Sequence, residues 1–172
     1  MILRHFAAIA LLPFVMTVVV PLWVARNTGA TFALGADLPA ELLQLAGVLS
    51  LALGLSLFVA SLRRFATEGE GTLAPWDPPR HLVVRGPYRY VRNPMISGVI
   101  FILLGEAGVL RSGAHLTWAL LFLAGNAVHF PLVEEPLLAR KFGAEYDEYR
   151  RHVRRFIPRL RPWTPPANSQ TS

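Results

Sequence analysis

Residues 86–110 read GPYRYVRNPMISGVIFILLGEAGVL, and the join at Pro94 decides the fold. Before it, Tyr88, Arg89, Tyr90 and Arg92 are crowded between a Gly-Pro pair and a second proline. After it comes an apolar run whose only charge is Glu106. Tyrosine and arginine are common at membrane borders, and a helix needs roughly 20 apolar residues to cross a bilayer core of about 30 Å. The join therefore predicts a rigid, cationic, aromatic loop at headgroup level that leads straight into a membrane helix.

Working outward, three more apolar blocks fall at 6–25, 42–62 and 116–133, beside the short one at 94–110. The predicted fold class is all-α: a polytopic membrane protein of four transmembrane helices with a C-terminal amphipathic helix. The chain has 172 residues, 53% of them hydrophobic, which suits one integral membrane domain over 1–163. Pro13 and Pro21 are expected to kink the first span, which membrane helices tolerate. No small-residue cleavage site follows that block, so it is read as a retained helix and not a signal peptide. Residues 67–80, rich in Gly and Pro, are expected to be irregular. Residues 164–172 are expected to form a disordered tail.

The basic residues choose a side. With four spans, one face holds fifteen Arg or Lys, on the N-terminus, the 63–93 loop and the tail; the other holds only Arg26 and Arg111. The positive-inside rule places both termini in the cytoplasm, in a bacterial inner membrane, with 94–110 and 116–133 as a hairpin turned at 111–115. The net charge is +6, but the charges flank apolar blocks. They predict contact with the lipid bilayer and no nucleic acid. There is no cysteine, which excludes disulfides, zinc–thiolate sites and thiol nucleophiles, and no metal site is expected.

A second signal follows the fourth span, in VEEPLLARKFGAEYDEYRRHVRRF. Glu134 and Glu135 fall where a helix C-terminus already carries partial negative charge and where burial of ions is costly. Such a pair needs a cation, from the loop or tail arginines or from a ligand. Pro136 predicts a bend at this point. Beyond it, Leu138, Phe142, Tyr146, Tyr149, Val153 and Phe156 share one helical face, to lie on the membrane or over a pocket. The hairpin returns the acidic pair to the loop, about forty residues away in sequence. Together they predict a polar, aromatic-lined pocket open to the cytosol. Glu106 and Asn126 are candidates simply as polar groups within spans, Glu106 for a structural or interfacial role. His129, one turn before Glu134, is more often a packing residue than a catalyst and is a weak candidate for a proton acceptor.

The order HLVVRGPYRYVRNPM, an apolar span, then EEPLLARKFGAEYDEYRRHVRRFIP resembles the isoprenylcysteine carboxyl methyltransferase and phospholipid methyltransferase group of integral membrane enzymes, in its bacterial form. The resemblance covers about 72–160. It implies methyl transfer from S-adenosylmethionine, bound in a cytoplasm-facing pocket, to a lipophilic acceptor: a carboxylate, an amine or a thiol. Carried over by position, cofactor binding falls to His81, Leu82, Val83, Val84, Tyr88, Asn93, Pro94, Met95, Ile96 and Glu134. The chemistry adds Arg92 for the cofactor's carboxylate and Glu135 for its cationic end. The family's usual Arg-His-Pro-x-Tyr reads Arg92-Asn93-Pro94-Met95-Ile96 here. Where eukaryotic members hold a substrate carboxylate with arginine, this chain has His129-Phe130-Pro131. Related membrane folds include NADPH-dependent reductases, and a non-catalytic scaffold is the blandest alternative. The acidic pair favours a cationic ligand over the strongly anionic NADPH.

Overall fold

A computed structural model describes residues 12–35, 37–68 and 81–164. Among them the chain is all-helical, without a strand. Helix α1 runs Leu12–Thr28, α2 Leu38–Glu68, α3 Pro94–Val109, α4 Gly113–His129 and α5 Glu135–His152. Residues 6–11 of the first expected span, most of the 67–80 segment and nearly all of the tail lie outside the described residues. Thr67 and Glu68 still belong to α2.

Two stretches, Leu38–Arg64 and Gly113–His152, are long and apolar enough to cross a membrane; α1 and α3 are shorter apolar helices. The long stretches keep little of themselves inside the protein, 17% and 11% of their most apolar windows. Leu42, Leu45, Leu49, Leu53, Leu120, Leu121 and Leu132 all stand exposed. So much continuous apolar surface has no stable place in water and suits a hydrocarbon solvent.

Glycines build the centre. Gly47 and Gly54 on α2 face Gly98, Gly105 and Gly108 on α3. A Cβ on Gly54 would come within 2.7 Å of the Gly98 carbonyl oxygen, and one on Gly105 within 2.8 Å of the Gly47 carbonyl oxygen. Only hydrogen fits there, so the two backbones touch. Lipid gives no hydrophobic drive for helix association, and close packing of small residues is the substitute. Ser50 Oγ adds a hydrogen bond to the Phe101 carbonyl at 2.7 Å. Gln44 Nε2 donates to the Ala33 and Val109 carbonyls at 2.6 and 3.1 Å.

The opposite side of α3 presents Val99 and Leu103 to Ala119, Trp118 and Phe122 of α4. Helix α1 is fastened to α4 by polar bonds. His115, fully buried, donates from Nε2 to the Pro21 carbonyl at 3.1 Å, so its Nδ1 accepts from Ser112 Oγ at 2.9 Å. Trp118 Nε1 donates to the Met16 carbonyl at 3.1 Å.

The expected bend at Pro136 does not occur. The chain stays helical from Gly113 through Pro136 to Phe142, widening into a π-turn at Phe130–Glu134. That turn takes up the backbone mismatch that Pro131 and Pro136 would otherwise impose, because a π-turn spreads the bonding partners of a proline over an extra residue. The same device, at Val15–Val19, precedes Pro21 in α1. The real break lies at Gly143, with φ 53° and ψ −128°, inside α5. No other residue type takes that conformation without strain.

Candidate functional site at the Glu134–Glu135 end of the bundle

The apolar run of α4 ends at Val133, and Glu134 opens the polar segment. The 81–93 segment, which leads into α3 at Pro94, meets it there. His81 is exposed, Leu82 half-buried, and Val83 and Val84 buried. Val84 packs against Tyr146, Tyr149 and Val153, with Leu82, Leu138 and Phe142 around them. The apolar face of α5 is thus covered by protein, and Phe156 meets Phe130 edge to face at 5.9 Å. Gly86–Arg89 then makes a 3₁₀ turn, with Gly86 at φ 56° over the stem of Arg64. Asn93 precedes α3, and its carbonyl accepts from both the amide and the hydroxyl of Ser97, each at 3.0 Å. Pro94 and Met95 are buried and Ile96 is half-buried in the first turn of α3.

The two acids have different surroundings. Glu135 Oε1 accepts from Arg155 Nε at 2.6 Å and pairs with Arg92 Nη2 at 3.1 Å. Burial acts to raise its pKa. The Arg155 hydrogen bond and the charges of Arg92, Arg155 and Arg150 outweigh that and hold it below the usual carboxylate range. Glu134 has no such cation among the described residues. Burial, and then the Glu135 carboxylate beside it, push Glu134 up to about 7.

The tyrosines close the group. Burial and the charge of Glu134 raise Tyr88 well above the ordinary phenol value, and burial dominates the rise at Tyr149 as well. Both stay neutral near pH 7. Tyr149 Oη donates to the Tyr88 carbonyl at 2.7 Å, fixing the loop to α5. Arg92 Nη1 reaches Tyr146 Oη at 3.3 Å. Arg92 Nε is buried and unpaired. A half-buried carboxylate with no cation among the described residues therefore adjoins Glu135, which Arg92 and Arg155 hold. That is a bipolar cradle, suited to a ligand that carries a cation and an anion together.

Of the residues anticipated from sequence, Tyr88, Arg92, Glu134 and Glu135 come together. Asn93, Pro94, Met95 and Ile96 follow in the chain and enter α3. His81 and Leu82–Val84 lie upstream, and Leu82 and Val84 are occupied in packing against α5. His129 sits elsewhere: it is exposed and lines, with Leu121, Val128, Leu132 and Val133, an apolar groove of about 600 Å³ along α4. The expected loop and tail arginines are Arg92 and Arg155, and sequence reasoning did not single out Arg155 or say that both would choose Glu135. It treated Tyr146 and Tyr149 as apolar and so overlooked their hydroxyls. It also missed the strap of residues 153–164, which returns over the loop. Arg92 N donates to the Arg154 carbonyl at 2.9 Å, Arg159 N to Tyr90 at 2.9 Å and Trp163 N to Arg89 at 3.0 Å. Arg89 answers through Nε to the Trp163 carbonyl at 2.7 Å and Nη2 to Thr164 Oγ1 at 2.5 Å. The one available signal was the density of arginine after Tyr149. No group of His, Asp and Glu suited to a metal ion occurs among the described residues.

Lipid-suited helices with a charged, tyrosine-lined cluster at one end are the frame of a helical membrane protein. The profile of the phospholipid methyltransferase family matches residues 42–145, well over half of the chain, and the protein belongs to that family of methyltransferases. A stretch of 73 residues is 38% identical to methanethiol S-methyltransferase 2 of Bradyrhizobium diazoefficiens, covering 42% of this chain and 27% of that relative. The match thus spans about a quarter of the relative's length. No solved structure matches the chain.

Proposed function

We propose that the protein transfers a methyl group from S-adenosylmethionine to a neutral, apolar acceptor, a small thiol foremost, at the cytoplasmic border of a four-span membrane domain. The observation that carries this is the cradle itself: Glu134, with no cation among the described residues, beside Tyr88 and next to the Glu135–Arg92 pair. S-adenosylmethionine carries a sulfonium and an ammonium against one carboxylate, a charge pattern that fits those groups. Glu134 would take the cationic end, the Arg92 guanidinium the carboxylate, and Tyr88 a ring face by stacking or cation–π contact. Glu135 acts through Arg92, which it holds in place together with Arg155.

When bound, the cofactor supplies a methyl group already activated as an electrophile on sulfur. This chain positions and excludes water. Tyr88, Tyr146 and Tyr149 wall the site, and the strap covers the loop. An acceptor carboxylate would need a cation of its own. Arg155 is engaged with Glu135, and Arg92 is shared between Glu135 and the cofactor carboxylate, which supports an acceptor that binds uncharged. The name of the relative points the same way, to a thiol. A thiol attacks as its thiolate, so methylation is expected to speed up as pH rises.

The topology belongs to the same proposal. The four apolar helices serve as spans, with both termini and the 81–93 segment in the cytoplasm of a bacterial inner membrane, because the basic residues crowd that end. The first test is calorimetric titration of the detergent-purified protein with S-adenosylhomocysteine, then transfer of labelled methyl to alkanethiols, phosphatidylethanolamine and a prenylated cysteine. Saturable binding lost in Glu134→Ala, with label on the thiol, is expected. Stabilisation by NADPH in place of S-adenosylhomocysteine would overturn the proposal in favour of a reductase.

A further inference from the structure

The strap does more than cover the loop. The strap and the end of α5 before it, from Tyr149 to Thr164, carry six arginines and no acidic residue. Arg155 is engaged with Glu135, and Arg159 Nη1 donates to the His152 carbonyl at 2.8 Å. Arg150 and Arg151 pair within α5 with Asp147 and Glu148. Arg154 and Arg161 are exposed and have no acidic partner among the described residues. Between them Ile157 is 61% and Leu160 100% exposed. Pro158 and Pro162 keep this stretch out of a helix that could tuck those side chains inward.

The level of the strap is fixed by its hydrogen bonds. Its Arg154 carbonyl is bonded to Arg92, two residues before α3 begins at Pro94, and Arg159 is bonded to Tyr90, four residues before it. The exposed leucine and isoleucine therefore lie at the depth where the apolar helices emerge, the height of lipid headgroups. Apolar side chains flanked by arginine at that depth are the pattern of an interfacial anchor. Arginines contribute through phosphate charge, and their contribution vanishes on a neutral surface.

We infer that residues 154–161 dock onto an anionic bilayer surface, with Ile157 and Leu160 entering the headgroup–acyl boundary and Arg154 and Arg161 meeting lipid phosphates. The strap is backbone-bonded to Arg89, Tyr90 and Arg92, so docking clamps the loop that forms the cradle. The inference needs the chain to be a membrane protein. It does not depend on which ligand the cradle takes.

The chain has no cysteine, so Leu160→Cys offers a single labelling site. The labelled full-length protein, carrying an environment-sensitive fluorophore, is placed in nanodiscs of phosphatidylcholine alone or with phosphatidylglycerol. Ile157→Cys serves as a second reporter and Glu145→Cys, exposed on α5, as a control. A blue-shifted emission quenched by chain-labelled lipid is expected at 157 and 160 in the anionic discs only. It should be lost on Arg154→Gln/Arg161→Gln and at high salt, with no shift at 145. A polar environment in both kinds of disc would overturn the inference. So would equal burial in both, or a response to an acidic polypeptide without any response to anionic lipid.

Discussion

Glu134 should make cofactor binding depend on pH in a window well above that of an ordinary carboxylate site. Its carboxyl titrates near 7 in the empty protein, raised by burial and by Glu135. A cation is held by the ionised form alone, so affinity should be nearly full at pH 8 and weaker by about tenfold at pH 6, some 1.4 kcal/mol. At pH 7 about half of the molecules must lose a proton on binding, and the linked release should be about 0.5 proton per cofactor. Calorimetry in two buffers of different ionisation enthalpy counts that proton directly. Glu134→Gln should abolish both the release and the slope, and weaken binding at pH 8 by more than at pH 6. The same group also predicts stability without ligand. Its folded value lies above the ordinary 4.5. Its support of the folded state is therefore complete below about 4.5 and is lost as pH rises through 7. Glu134→Gln should then melt higher than wild type at pH 8 while binding worse, the usual trade at a site built from an uncompensated charge. A flat affinity from pH 6 to 8 with no proton released at pH 7 would refute the assignment of Glu134 to the cationic end of the ligand.

Other substitutions follow from the packing. Gly54→Val places a side chain against the Gly98 carbonyl and should cost about 1–3 kcal/mol or separate α2 from α3, read as a lower melting temperature in detergent. Gly125→Ala meets open space and should gain about 0.5–1 kcal/mol. Tyr149→Phe removes the donor to the Tyr88 carbonyl; a cost of about 1–3 kcal/mol for the stranded group should appear as weaker S-adenosylhomocysteine binding and faster hydrogen exchange in 86–93. Arg155→Ala leaves Glu135 with Arg92 alone and should move the midpoint of the binding pH profile upward. Arg155→Lys should restore most of it.

Helix existence was written in the apolar blocks: the run expected at 94–110 is α3 at Pro94–Val109, because Pro94 opens a helix well and nothing interrupts the run before the turn. The loop and the acidic pair could also be joined in advance, since a hairpin of two spans returns to its starting face. Three things were not legible. The continuity of the helix through Pro136 depends on a π-turn, which has no compositional mark. The division of labour between Glu134 and Glu135 depends on Arg155, twenty residues on, choosing one of two adjacent acids. The facing of Gly47 and Gly54 against Gly98 and Gly105 shows as a seven-residue spacing in each helix, but which helices meet is a tertiary fact.

The glycine seam also fixes how the molecule meets membranes of different thickness. Bulky side chains at a helix interface can repack as one helix slides along the other. Here each glycine slot is matched to a backbone segment opposite, and sliding by a turn would drive Leu51 or Phe58 into a space where only hydrogen fits. Helices α2 and α3 therefore keep one register, and mismatch with the hydrocarbon layer is met by tilting the pair as a unit or by deforming the lipid. The cradle hangs from the end of that pair through Asn93 and Pro94. Acyl-chain length thus becomes a setting of the angle at which the cradle faces the bilayer surface.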